Sequence, residues 1–177
     1  MLNSRAIGRR EFVWAHPDSG RLAFVLRAHE EEIGWLQFKS GLGVRSTAEF
    51  EGQRWTFERT GVFYARVTIR AEGSDASLAE FTPFLTGRGG GVVSFSAGPQ
   101  YCWNKASIWS SNWRFRCKEH KSTVCVAQEA GSLTAGGKVM ICSDAAQLPE
   151  TPVLVLLAWY LRVLSLEGLA ESMLSRG

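Results

Sequence analysis

The sequence predicts an all-β fold with one helix: about twelve strands closed into a barrel around a buried hydrophobic carboxy-terminal helix. Three observations lead there. Between positions 11 and 148 apolar residues alternate in short runs, with the period of two required of a strand that has one buried face. Turn-forming Gly, Pro, Asp and Ser punctuate the runs, giving roughly 11 residues per strand and turn, a spacing typical of all-β folds. From position 153 to 161 nine apolar residues then follow without a break, VLVLLAWYL.

A chain of 177 residues has the length of a single domain, expected here to span 1–177, and can bury a sizeable core without staples. Hydrophobic residues at 45% and charged residues at 21% exclude a disordered chain, a collagen-like repeat and a coiled coil. Seven Trp, ten Phe and 18 Gly suit a sheet with many turns.

The expected strands lie near 12–15, 22–27, 33–38, 44–50, 54–59, 62–71, 78–85, 92–96, 100–105, 112–118, 123–128 and 138–142. Positions 62–71 show the pattern well, with Phe63, Ala65, Val67 and Ile69 on one face and Tyr64, Arg66, Thr68 and Arg70 on the other. Trp113, Phe115 and Cys117 alternate likewise with Arg114, Arg116 and Lys118. A shift of 58 residues superposes Trp55 on Trp113, Phe57 on Phe115, Gly73 on Gly131, Val67 on Cys125 and Ile69 on Ala127. This echo reads either as a duplicated two-strand unit with matching inward faces or as a chance W-x-F pair in a Trp-rich chain.

Pro149, Glu150, Thr151 and Pro152 end the strands and start a helix over about 151–167, with Thr151 as its N-cap and Pro152 as its first residue. Nine apolar residues fall short of the roughly 20 that span a bilayer, and Arg162 interrupts the run, so no transmembrane segment is expected. A helix apolar on every side must be surrounded by protein, and the sheet is what surrounds it. Closing the sheet around it also removes exposed edges. Arg162, Ser165 and Gly168, three apart, are expected to mark the side where the helix emerges.

This order of elements, with a last strand ending in GKVMIC at 137–142, then Leu148, Pro149, Glu150 and an apolar final helix, resembles the tubby carboxy-terminal-like superfamily. That group includes tubby proteins, phospholipid scramblases and LURP-one-related proteins. The resemblance implies a twelve-stranded barrel threaded by its carboxy-terminal helix from about Glu11 to Leu166, and a role in binding phosphoinositide headgroups, in membrane-associated lipid movement or in defence.

No catalytic motif is found, so the chain is expected not to be an enzyme and to need no cofactor. Positions 132–138, SLTAGGK, approach a phosphate loop, but Ser132 stands where Gly is required and Val139 follows where a Ser or Thr would bind magnesium. A turn between strands is the better reading. His16, His29 and His120 sit in unrelated contexts. Glu30, Glu31 and Glu32 offer too few oxygen ligands for a metal and read as a solvated turn. Cys102, Cys117, Cys125 and Cys142, separated by 14, 7 and 16 residues, contain no C-x-x-C pair and are expected to be reduced, metal-free core thiols. The first ten residues are polar and basic, which leads to a cytoplasmic expectation, at the periphery of a membrane if lipid is bound.

Net charge is only +3, so no global field marks a dedicated nucleic-acid binder. Between 101 and 125, however, Lys105, Arg114, Arg116, Lys118 and Lys121 face a single acid, Glu119. The candidate ligand-binding residues are Arg114, Arg116 and Lys118 on the solvent side of one strand, Arg66 and Arg70 on the echoed unit, and Arg88 within Gly87-Arg88-Gly89-Gly90-Gly91. Guanidinium forks match phosphate oxygens, so this face fits an anionic phospholipid headgroup, a membrane surface or another phosphorylated ligand. The glycine run reads as an anion-binding nest beside Arg88 or as a hairpin loop. The aromatics point inward, which ranks nucleic acid below phospholipid. The alternatives are a solvated outer face on a scaffold that meets an unknown protein partner, and a barrel carrying a small apolar molecule, against which the lumen-filling helix argues.

Overall fold

The computed structural model describes residues 10–17, 22–39, 45–61, 66–85, 89–108, 110–117, 119, 123–128 and 136–174, the side chains of 123, 125–128 and 166–174 excepted. Twelve strands precede one helix: β1 (Arg10–Ala15), β2 (Ala23–Ala28), β3 (Glu31–Phe38), β4 (Arg45–Phe50), β5 (Gln53–Thr60), β6 (Arg66–Ala71), β7 (Ala79–Pro83), β8 (Gly91–Phe95), β9 (Gln100–Lys105), β10 (Trp113–Cys117), β11 (Thr123–Gln128), β12 (Gly137–Ile141) and α1 (Thr151–Leu174). The expected antiparallel sheet with one carboxy-terminal helix is what the chain forms. Each strand pairs antiparallel with its neighbours in sequence, and β1 pairs with β2 on one side and β12 on the other, the order of a closed barrel.

Alternation decides which residues face in. Trp14, Phe24, Leu36, Phe57, Ile69, Val93, Trp103 and Phe115 are buried, while the residues between them look outward. Gly34 in β3 is required by close approach, since a Cβ there would lie 2.5 Å from the Glu49 carbonyl oxygen of β4.

Helix α1 occupies the interior, with every residue from 153 to 163 buried, a run of about 16 Å at 1.5 Å per residue. Rings meet it from different sides of the wall. Trp159 stacks on Trp14 of β1 at 5.8 Å and meets the edge of Phe24 of β2 at 5.7 Å. Tyr160 lies between Phe38 of β3 and Phe57 of β5, stacked on each at 5.3 Å.

Several expectations about the helix need correction. It runs to Leu174, beyond the expected 167. The Leu154 N–H donates to the Glu150 carbonyl at 3.0 Å, so the cap is Glu150 and not Thr151. The Thr151 hydroxyl instead donates to the Ala145 carbonyl in the preceding turn. Arg162 does not mark an emerging side: it is only 9% exposed, its guanidinium lies 5.6 Å from the Trp113 ring centroid, and burial lowers its pKa. Ser165 is exposed, whereas the burial of Gly168 lies outside the description.

The 58-residue echo holds for one strand only. Trp55 and Trp113 are both buried, as are Phe57 and Phe115. In the second strand the registers differ: Phe57 faces Ile69, but Phe115 faces Val124, and Cys125 takes the row of Arg114. Of the cysteines expected in the core, Cys117 is buried, but Cys102 and Cys142 are only half-buried.

The Tyr160 hydroxyl is buried without a hydrogen-bond partner among the described residues, and burial pushes its pKa up to about 12 against an opposing pull from Arg59. The unfolded tyrosine ionises first, near its ordinary value of 10, so the ionisation of Tyr160 costs no stability below that pH and progressively more as pH rises from 10 towards 12. Tyr160→Phe keeps both ring stacks and removes the orphaned group. Its melting temperature at pH 7 should match or exceed that of the wild type, by up to about 1–3 kcal/mol of stability, and fall less steeply across pH 10–12. A less stable variant at pH 7 would show that the hydroxyl has a partner.

Candidate functional site

Ion pairing divides the outer wall into two unlike halves. On β1 to β7 four arginines sit against carboxylates, while Arg10, Arg45 and Arg59 have no ion pair among the described residues. Arg27 pairs with Glu32 at 3.0 Å, Arg54 with Glu49 at 2.6 Å, Arg66 with Glu80 at 3.6 Å and Arg70 with Glu58 at 2.6 Å. Hydrogen bonding to Glu49, with the charges of Glu49 and Glu72, raises the pKa of Arg54. Such exposed pairs contribute little to stability, but each occupies a charge that could otherwise hold a ligand.

The five strands from β8 to β12 contain no Asp or Glu, yet carry Lys105, Arg114, Arg116 and Lys138. Lys138 reaches back to Glu11 on β1 at 3.3 Å. Lys105, Arg114 and Arg116 have no ion pair among the described residues. Arg114 and Arg116 project outward because Trp113, Phe115 and Cys117 are drawn inward: Phe115 tilts against Trp103 at 4.6 Å and Trp113 stacks on it at 5.3 Å. Two residues apart on one strand, the arginines stand about 7 Å from each other. Asn104 and Cys102 of β9 sit opposite them. The Nε of Arg114 is buried without a hydrogen-bond acceptor among the described residues, so a ligand from solvent would be met by the terminal nitrogens of its fork.

The six candidate residues therefore do not form one site. Arg114 and Arg116 share a face as expected. Arg66 and Arg70 also face outward, but on β6, four strands away around the wall, and both are paired with carboxylates. Arg70 also donates to the Asp75 carbonyl at 3.3 Å. Lys118 and Arg88 lie outside the described residues. Lys105 was not among the candidates; it ends β9 opposite Trp113, on the inward row at the rim of the barrel, and its ammonium lies 5.8 Å from the Trp113 ring centroid. The sequence does hold a signal for this half of the wall, since no carboxylate occurs between Glu80 and Glu119.

Other sequence readings resolve locally. The segment resembling a phosphate loop runs into strand β12, where a phosphate loop would open a helix, and Lys138 is its outward residue bound to Glu11. Gly89 and Gly90, with φ of 69° and 91°, belong to the link between β7 and β8, the hairpin reading. Among the described residues no group of three or more His, Cys, Asp or Glu could hold a metal ion. None of the described helices is long and apolar enough to cross a membrane. Compared with family models, curated proteins and solved structures, the chain matches none.

Proposed function

We propose that this protein is a non-enzymatic module that binds anionic phospholipid headgroups through the outer face of β8 to β12, with Arg114 and Arg116 as the main contacts and Lys105 at the adjoining rim of the barrel. The observation that carries the reading is the charge segregation: five consecutive strands without a carboxylate, holding cations with no ion pair among the described residues. Forked guanidinium groups on a rigid strand meet phosphate oxygens with their geometry already set. The resemblance to the tubby carboxy-terminal-like superfamily supports the same reading, and a barrel closed around its own helix gives the strand its rigidity. Such a protein would act at the periphery of a membrane, on the cytoplasmic side where anionic lipid is concentrated.

Replacing Arg114 and Arg116 together by Gln tests the proposal. Each cation near an anionic surface contributes about 1 kcal/mol, so the double variant should bind anionic vesicles at least tenfold more weakly. The loss should be larger at low salt than at high, with the melting temperature nearly unchanged. Equal binding by both forms would leave a scaffold for a protein partner as the better reading.

A further inference from the structure

The two ends of the barrel differ in chemistry. Because the strands alternate in direction, the links β2–β3, β4–β5, β6–β7, β8–β9 and β10–β11 share the end where α1 begins, here called proximal. Tyr101 at the start of β9, donating to Glu150 at 3.4 Å, fixes the helix start there. The links β1–β2, β3–β4, β5–β6, β7–β8, β9–β10 and β11–β12 share the distal end, where Arg162 lies against Trp113 at the start of β10.

The proximal links carry Glu30, Glu51, Glu72, Asp75 and Glu119. Among distal link residues with described side chains there is no Asp or Glu, although the sequence also puts Asp18 and Glu129, outside the described residues, in distal links; Lys105 and Arg114 stand at the adjoining strand ends. The same end holds the two most exposed large apolar side chains of the description, Leu85 at 74% and Ile108 at 81%, with Phe84 at 40% beside Leu85. The bases of both hairpins are held by backbone bonds. Phe84 N–H donates to the Gly90 carbonyl at 3.0 Å and Ala106 N–H to the Asn112 carbonyl at 2.8 Å, closing both hairpins. Gly89, at φ 69°, lies so close to Trp113 that a Cβ would fall 2.9 Å from its ring. The β7–β8 hairpin is thereby seated against the residue over which Lys105 and Arg162 lie. Since β8 pairs with β9, Leu85 and Ile108 cap neighbouring hairpins.

We propose that these two hairpins are the membrane-inserting tips of the protein, which docks distal end first on an anionic bilayer. Leu85 and Ile108 enter the interfacial region while Lys105 and Arg114 meet the headgroups. The inference rests on the phospholipid reading above and adds the orientation and an apolar contact. Charge complementarity selects the occupant: a surface that is anionic at headgroup level and apolar beneath matches apolar tips flanked by cations, and the end richer in carboxylates then faces away from the membrane.

The test uses the full chain and phosphatidylcholine vesicles with and without phosphatidylserine. Leu85→Ser with Ile108→Ser should weaken binding to anionic vesicles about a hundredfold, because each apolar side chain withdrawn from water contributes about tenfold. Unlike the arginine effect, that loss should persist at high salt. Leu78→Ser, at a large apolar residue of the proximal end, should change nothing, and all three proteins should melt alike. If the arginine variant loses binding while Leu85→Ser/Ile108→Ser binds as the wild type does, end-on insertion is wrong and headgroup binding stands. If the wild type ignores anionic vesicles, the phospholipid reading fails and the insertion falls with it.

Discussion

Leu156→Asp should abolish the folded state. Leu156 is fully buried within the stretch 153–163 of the helix that fills the barrel, with buried Val155 and Leu157 beside it in sequence and an apolar wall beyond. Truncating a buried leucine costs about 2–5 kcal/mol, and an unpaired carboxylate left in such a site adds several more. Together these match the whole stability of an ordinary domain, about 5–15 kcal/mol. Near-UV circular dichroism should show no cooperative thermal transition for the aspartate variant. Leu156→Met, close in volume and apolar, should stay folded within about 1.5 kcal/mol of the wild type. Leu156→Ala separates cavity from charge: it should fold with a lowered melting temperature. A cooperatively folded Leu156→Asp would mean that the helix centre can reach water, which is incompatible with a helix enclosed by the wall.

Such a consequence was legible in the sequence because the helix has no polar face to give to solvent: a run apolar in all directions has to be enclosed. The strands were legible for a similarly local reason. Trp113, Phe115 and Cys117 against Arg114 and Arg116 repeat a period that only a pleated backbone places on two faces. What the sequence could not supply was register. Whether Arg70 is free depends on its lying beside Glu58 across the β5–β6 pair, twelve positions away, and on the turn that brings the Asp75 carbonyl within reach. The echo between 55–69 and 113–127 failed for the same reason, since equal sequence spacing does not ensure equal strand pairing.

Arg162 illustrates a second limit. Its charge within an apolar run suggested a point of exit, but the Trp113 ring that covers its guanidinium comes from a strand about fifty residues earlier. Thr151 had the identity and position of an N-cap, and only the preceding turn, which offers the Ala145 carbonyl, turned its hydroxyl away from the helix. The candidate site was half legible. Alternation placed Arg114 and Arg116 outward, whereas the importance of Lys105 follows from the neighbour relation of β9 and β10. Of the apolar tips, Leu85 lay at the end of an expected strand and Ile108 in the link between two, and neither drew attention as a single residue, because an isolated exposed hydrophobe is ordinary until the fold gathers several at one end.

The central claim is that the half of the wall without carboxylates meets an anionic lipid surface. Its most direct test is co-sedimentation of the wild-type protein with neutral and anionic vesicles at two salt concentrations. Lys105, Arg114 and Arg116, with no ion pair among the described residues and each contributing about 1 kcal/mol at an anionic surface, predict a preference of about a hundredfold for anionic over neutral vesicles at low salt. That preference should shrink severalfold when the Debye length falls from about 10 Å at 0.1 M salt to about 3 Å at 1 M. Equal partitioning onto neutral and anionic vesicles, or none onto either, at both salt concentrations would contradict the account.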